Sequence, residues 1–199
     1  MNPSQATQVP LAEEAEKGRS AEGEDEPLPI RSAGRDEAPA LHRLITANLE
    51  EGHLLPRTLD ELVAHAPRFV VATHGAAVVA CGELTPLGGT VAEIRSLVVD
   101  RRERGSGVGR QLVEELVRRA RAEGFARLCA FTHQPAYFVR LGFSIVPHLW
   151  VPEKVWTDCW TCPLLRHCGQ NAVVLPLEPA GRRREAPLRR PAIRLGAAV

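Results

Sequence analysis

Lysine is almost missing from this 199-residue chain: only Lys17 and Lys154 occur, and the other basic side chains are arginines and histidines. The scarcity excludes any phosphate loop that needs a lysine at a fixed place. Tyrosine occurs once, as Tyr137, so any phenol chemistry must fall on that residue. No apolar run reaches the roughly 18 residues of a membrane helix, and no membrane partner is expected. The N-terminus is acidic, without the basic and then apolar pattern of a secretory leader. A net charge of +1 argues against a general nucleic-acid binder. Five cysteines are an odd number, which a purely disulfide framework does not fit, and in a reducing cytoplasm they read as thiols or metal ligands. A cytoplasmic protein is the expectation.

What is present is enough apolar sequence for one domain, between two charged tails. Residues 1–28 are acidic, with almost no large apolar residue, and are expected to be disordered. Residues 179–199 hold six arginines and are expected to form a second such tail. Between them, 29–178 reads as a single domain. LPIRSA suggests a strand, 36–52 a helix ended by Gly52, and TLDELVAHA a second helix with a capping box from Thr58 to Glu61. RFVVATHGAAVVACGEL reads as a hairpin turning at His74-Gly75, and TVAEIRSLVVD as a longer strand. Val108, Leu112, Val113, Leu116, Val117 and Ala120 recur at helical spacing. Glu114–Arg118 and Glu115–Arg119 are expected as surface pairs, and Gly124 as the stop. RLCAFT, FSIV and AVVLPL are strands, and PAYFVRL a short helix. The expected order is β-α-α-β-β-β-α-β-α-β-β.

The stretch RRERGSGVGR, at 101–110, joins the longer strand to the longer helix. A Walker loop needs a lysine that is absent, and a dinucleotide GxGxxG starting at Gly105 would need glycine where Arg110 stands. A turn that merely links strand to helix remains open. Physically, glycines remove the Cβ atoms that keep phosphate oxygens at a distance, and a helix N-terminus offers unpaired N–H groups to a pyrophosphate. Arg104 and Arg110 can add charge-assisted bonds.

Arg104, Gly107 and Gly109 match the Arg/Gln-x-x-Gly-x-Gly/Ala pattern of the GNAT acetyltransferases. EIRSLVVDRRERGSGVGRQLVEELVRRARAEGF resembles that family's acetyl-CoA segment, and YFVRLGF its helix ending in a Leu-Gly-Phe turn. The resemblance implies an α/β (α+β) fold with a mixed, mostly antiparallel central sheet, splayed strands and flanking helices. It implies acetyl-CoA as co-substrate, bound by Arg104, Gly105, Ser106, Gly107, Val108, Gly109 and Arg110, with Leu97, Val98 and Val99 offering backbone groups to the pantetheine arm. Strand alternation places Glu93, Arg95 and Leu97 on one face. Glu93 is the candidate general base, or an electrostatic partner of Arg95. A backbone N–H near Val98 or Val99 would polarise the thioester carbonyl. The family's thiolate-protonating tyrosine stands where this chain has Phe138, so Tyr137 is the catalytic candidate one residue away. His133 and an unassisted thiolate are the alternatives.

A last segment, PEKVWTDCWTCPLLRHCGQNAVVL, holds Cys159, Cys162 and Cys168. Three thiols with His167 or Asp158 could hold zinc, but only one CxxC is present, and no metal is assigned. KVWxDCxxCPxxxxC resembles short stand-alone bacterial amino-acid N-acetyltransferases, the N-acetylglutamate synthases, although Gln170 stands where an acidic residue is expected. That resemblance implies transfer to the α-amine of L-glutamate in arginine biosynthesis. The two carboxylates of glutamate need cations, for which Arg95 and Lys154 are the candidates, with Arg140 a third. Another amino acid, a polyamine or a protein lysine as acceptor, or a non-catalytic acyl-CoA- or metal-sensing module, stay open. So does a homodimer.

Overall fold

The computed structural model describes residues 28–51 and 54–177. Apart from Leu28, both expected tails lie outside the described residues, as does Gly52. Seven strands form one sheet in the order β1-β2-β3-β4-β5-β7-β6. They are β1 (Ile30–Ser32), β2 (Phe69–His74), β3 (Ala77–Gly88), β4 (Val91–Val99), β5 (Arg127–Thr132), β6 (Ser144–Val146) and β7 (Asn171–Pro176). Every neighbouring pair is antiparallel except β4 and β5, which are parallel and joined through a helix. The expected order of strands and helices is observed, except for a short helix between β6 and β7 that the sequence reading lacks.

Helices α1 (Ala38–Ala47) and α2 (Leu59–His65) cover one face of the sheet. α1 is shorter than the 36–52 read from sequence. It stops at Asn48, whose Nδ2 donates to the Leu44 carbonyl at 2.8 Å. Half of the expected capping box forms. Thr58 Oγ1 accepts from Glu61 N at 3.3 Å, while the Glu61 carboxylate pairs with Arg57 at 2.8 Å. The opposite face carries α3 (Val108–Ala122) and the short α4 (Pro135–Val139). The apolar stripe of α3 is the stripe read from sequence, with Leu112, Leu116 and Ala120 fully buried against the sheet. Burying each leucine contributes about 1.5–3 kcal/mol. Gly82 lets α3 lie close, because a Cβ there would meet Leu116 Cδ1 at 3.0 Å. Gly124, at φ +82, closes α3 as expected. On the outer face Glu115 takes both Arg118 and Arg119, and Glu114 pairs with Arg110 instead of Arg118. The side-chain rotamers favour the pair one turn earlier.

Residues 148–167 were given no helix from sequence, yet they form successive turns. A three-residue turn at His148–Trp150 is followed by α5 (Pro152–Lys154), a π turn at Val155–Cys159 and a turn at Leu165–His167. No residue from Pro152 to Gln170 is buried, so the segment lacks the apolar periodicity that would have announced it. Among the described residues no helix is long and apolar enough to cross a membrane.

Candidate active site

The site is built around an irregularity in β4. Cys81 faces Val98 and Glu83 faces Arg95, so Ser96 and Leu97 together oppose Gly82. This is a β-bulge, and Ser96 adopts φ +47 within it. The extra residue reverses the alternation expected from sequence. Leu97 packs into the cluster beneath α3, whereas Glu93 and Arg95 point to the opposite face, so the expected common face for all three is corrected. Beyond Ile94, β4 no longer pairs with β5. The Asp100 N–H bonds to Val79 on β3 at 2.8 Å. Successive peptide groups of a strand point to alternate sides, so the Val99 N–H and C=O face the gap that opens between β4 and β5. Of Val98 and Val99, it is Val99 that offers its backbone there.

The glycine loop closes one end of this gap. Gly105 and Gly107 sit at φ +89 and +88, where side chains are rarely tolerated, and a Cβ on either would stand in open space. Gly107 caps α3, and the N–H groups of Gly109 and Arg110 in its first turn have no intrahelical acceptor. A Cβ at Gly109 would lie 3.0 Å from Tyr137 Oη and 3.3 Å from Val99 Cγ2. Ser106 Oγ donates to the Glu103 carbonyl at 2.7 Å, and the Val108 side chain is buried in the core, which leaves only backbone from these two. Both loop arginines hold carboxylates. Arg104 reaches Asn48 Oδ1 at 2.8 Å, Glu51 at 3.0 Å and the Val99 carbonyl at 3.1 Å, and Arg110 reaches Glu114 at 2.7 Å. Arg104 thereby ties the loop to the end of α1. A phosphorylated nucleotide fits this end: the glycines leave space where side chains would intrude, and the helix N-terminus faces it.

A cleft of about 1040 Å³ runs from this loop along the gap to the other face of β4. Its floor there is a square of alternating charges. Arg95 Nε donates to Glu93 at 2.5 Å, and its Nη2 to Asp158. Lys154 Nζ donates to Glu93 at 2.9 Å and to Asp158 at 2.7 Å. Glu93 is only 2 % exposed. Burial alone would lower the Arg95 pKa, but Glu93, Asp158 and Glu83 outweigh it and raise it. Burial likewise opposes the charge on Asp158, yet Lys154 and Arg95 hold its carboxyl below the usual range. Lys154 also lies 5.5 Å from the centre of the Phe131 ring.

Tyr137 lines the same cleft, and its Oη is buried without a hydrogen-bond partner. Burial pushes its pKa up, partly offset by Arg140. Phe138, one residue on, is packed in the core, so the position expected from the family pattern faces inward and Tyr137 faces the cleft. His133 and Arg140 also border the cleft.

Two residues of this site were not singled out from sequence. Arg57, from the α1–α2 connection, bonds Glu83 at 2.8 Å and Ser96 Oγ at 3.0 Å. Glu83 is fully buried, and His65 Nδ1 lies 3.0 Å from its other oxygen. The signal was present in VVACGEL, where strand alternation puts Glu83 on the same face as apolar Cys81. Cys159, Cys162 and Cys168 border the cleft as free thiols. Among the described residues no group of three or more His, Cys, Asp or Glu is placed to hold a metal. The Gln170 carbonyl faces His148 Nε2 at 2.9 Å.

The sequence profile of the acetyltransferase (GNAT) family matches residues 37–143. An uncharacterized N-acetyltransferase of Chlorobaculum tepidum is 31 % identical over 148 residues, which cover 74 % of this chain and 96 % of the relative. The amino-acid acetyltransferase of Mycobacterium tuberculosis is 30 % identical over 65 % of this chain and 75 % of its own. The N-acetylglutamate synthase of Neisseria gonorrhoeae, solved with coenzyme A and N-acetyl-glutamate, superposes with a TM-score of 0.69 at 25 % identity. The match covers 76 % of this chain but only 35 % of that synthase. These likenesses place the chain in the GNAT acetyltransferase family, as an acetyl-CoA-dependent N-acetyltransferase.

Proposed function

We propose that the chain moves the acetyl group of acetyl-CoA to the α-amine of L-glutamate. The observation that carries the acceptor is the pair of cations, Arg95 and Lys154, held together beside Glu93 on the cleft floor. An amino acid with two carboxylates needs such donors, and its amine would then lie near a carboxylate able to take a proton. The relatives that share this fold support the same reading, since one of them was solved with coenzyme A and N-acetyl-glutamate.

In this reading the pyrophosphate of acetyl-CoA rests on the N–H groups of Gly107, Gly109 and Arg110 at the start of α3. Gly105, Ser106 and Val108 shape the backbone of the turn. The pantetheine arm follows the open edge of β4 at Leu97, Val98 and Val99. The Val99 N–H, which points into the gap, polarises the thioester carbonyl while charge builds on its oxygen. Glu93 accepts the proton of the acceptor ammonium, directly or through a water, and the freed amine attacks. As the C–S bond breaks, Tyr137 donates its proton to the departing thiolate, and the second proton lost by the nitrogen as the amide forms returns the phenolate to the phenol through water. Its raised pKa keeps it protonated at neutral pH, and an Oη without an intramolecular partner is free to bond a sulfur.

The test is a screen of purified protein and acetyl-CoA against the standard amino acids, polyamines and a lysine peptide, reading free thiol. Glutamate should give the highest kcat/KM. A higher value for an amine without a second carboxylate would overturn the acceptor.

A further inference from the structure

Arg95 and Lys154 do not stand free in the cleft, and the partner that neutralises them is itself a carboxylate. Both donate to the same atom, Asp158 Oδ2, so that oxygen lies where a bound carboxylate oxygen would be bridged. Their other partner, Glu93, cannot easily yield. It is buried in β4, which at that point is paired on both sides, with Thr85 of β3 and Cys129 of β5. Asp158 is different in every respect. Its side chain is 36 % exposed. It rides on the π turn Val155–Cys159, closed by the Trp160 N–H on the Val155 carbonyl at 3.0 Å. No residue from Pro152 to Gln170 is buried, so little packing opposes a local rearrangement. Lys154 and Asp158 are spaced four apart, which lets one turn deliver both groups to Arg95 and Glu93.

We infer that Asp158 is an internal stand-in for the acceptor's carboxylate. It neutralises Arg95 and Lys154 while the cleft is empty and is displaced when an acceptor carboxylate binds. With Glu93 as their one shared counterion the two cations would leave an excess positive charge in a largely desolvated site, and Asp158 neutralises it in the unliganded protein. It also sets selectivity, because an acceptor without a carboxylate has nothing to offer the two cations in exchange. The inference rests on the reading that the acceptor is an amino acid, but it concerns only carboxylate binding and can be tested apart from turnover.

The probe is glutarate, a dicarboxylate without an amine, titrated calorimetrically into the full chain with saturating CoA. Asp158→Asn keeps the shape and removes the competing charge, and Asp158→Ala removes the side chain. Glutarate should bind both variants on the order of tenfold more tightly than the unsubstituted protein, at low salt. CoA affinity should stay within about twofold, and neutral glutaramide should not gain. Unchanged or weaker glutarate binding in both variants would overturn the inference and make Asp158 a structural or amine-contacting residue. If the amine screen instead finds an acceptor without a carboxylate, the glutamate reading fails by itself. The glutarate titration still decides the role of Asp158.

Discussion

Gly107→Ala separates the loop's binding role from its structural one, because the fold supplies its own control. Gly107 caps the N-terminus of α3 at φ +88, and Gly124 follows its C-terminus at φ +82. In both places a Cβ would meet nothing within 4 Å. An alanine at either glycine therefore bears the same left-handed backbone strain, about 1–2 kcal/mol. For a domain of this size that is a Tm fall of roughly 2–8 °C. The helix between them is 15 residues long, so the two sites are more than about 22 Å apart at 1.5 Å per residue. Only Gly107 lies where the pyrophosphate would approach the backbone. Losing one charge-assisted N–H bond to phosphate costs about 1.5–3 kcal/mol, which is roughly a 10–150-fold weaker Kd for CoA. Calorimetric titration of CoA into Gly107→Ala and Gly124→Ala, alongside thermal melts, reads both effects. Matched melts with weakened binding at Gly107 alone is the expected result. Equal CoA affinity in the two variants would refute the cradle.

Lys154→Met should raise the KM for glutamate on the order of tenfold or more, with the KM for acetyl-CoA within about threefold, if the cation holds the acceptor as proposed; equal changes would remove it from that site. Tyr137→Phe should lower kcat by about 100-fold or more, as loss of a general acid does, with little change in Tm because Oη has no partner to lose; an unchanged kcat would leave the thiolate to depart unaided. Arg118 first, and then Arg119, hold the Glu115 carboxyl at about 2. A lowered folded pKa gives stability that is present above the ordinary glutamate value and is lost as the pH falls toward 2. Glu115→Gln should therefore be less stable at neutral pH, by about 0.3–0.5 kcal/mol for each pair removed, with the difference closing as the pH falls toward 2; identical melts at neutral pH, or a difference that persists in acid, would contradict it.

The succession of strands and of the helices α1 to α4 along the chain, the α3 stripe and the glycine loop were legible because each is a local pattern: alternation, helical spacing, and turn residues at fixed offsets. The acceptor floor was legible only in part. Arg95 and Lys154 stood out by residue type, and Glu93 as a partner of Arg95, but the second carboxylate that holds both cations did not. Asp158 reads from sequence as one more possible metal ligand, and only the turn 152–159 reveals it as their counterion. Arg57 is an isolated charge in a connection, and Glu83 a charge inside a strand. Register brings Glu83 opposite Arg95, and the α1–α2 connection then lays Arg57 over it. Glu83 and Arg95 are 12 residues apart in the chain and Arg57 and Glu83 are 26 apart, beyond any local periodicity.

The Ser96 bulge shows most sharply why alternation failed and why the site needs that failure. A regular β4 would put Glu93, Arg95 and Leu97 on one face, leaving a leucine among the charges and a gap beneath α3. One extra residue sends Leu97 back to the core next to Leu116 and keeps both charged groups on the cleft side. A serine at φ +47 is strained by about 1–2 kcal/mol. Its Oγ, however, takes the Arg57 guanidinium at 3.0 Å, and the same nitrogen bonds buried Glu83 at 2.8 Å. The connection between α1 and α2 thus clamps the bulge at one end, and Arg104 clamps the glycine loop at the other through the Val99 carbonyl and Asn48. Between those clamps lie Leu97, Val98 and Val99, whose course fixes where a thioester carbonyl and an amine can meet. The cleft is therefore shaped by two arginine tethers on a single irregular strand, and the distance between them is set by backbone that no side-chain pattern in the sequence describes.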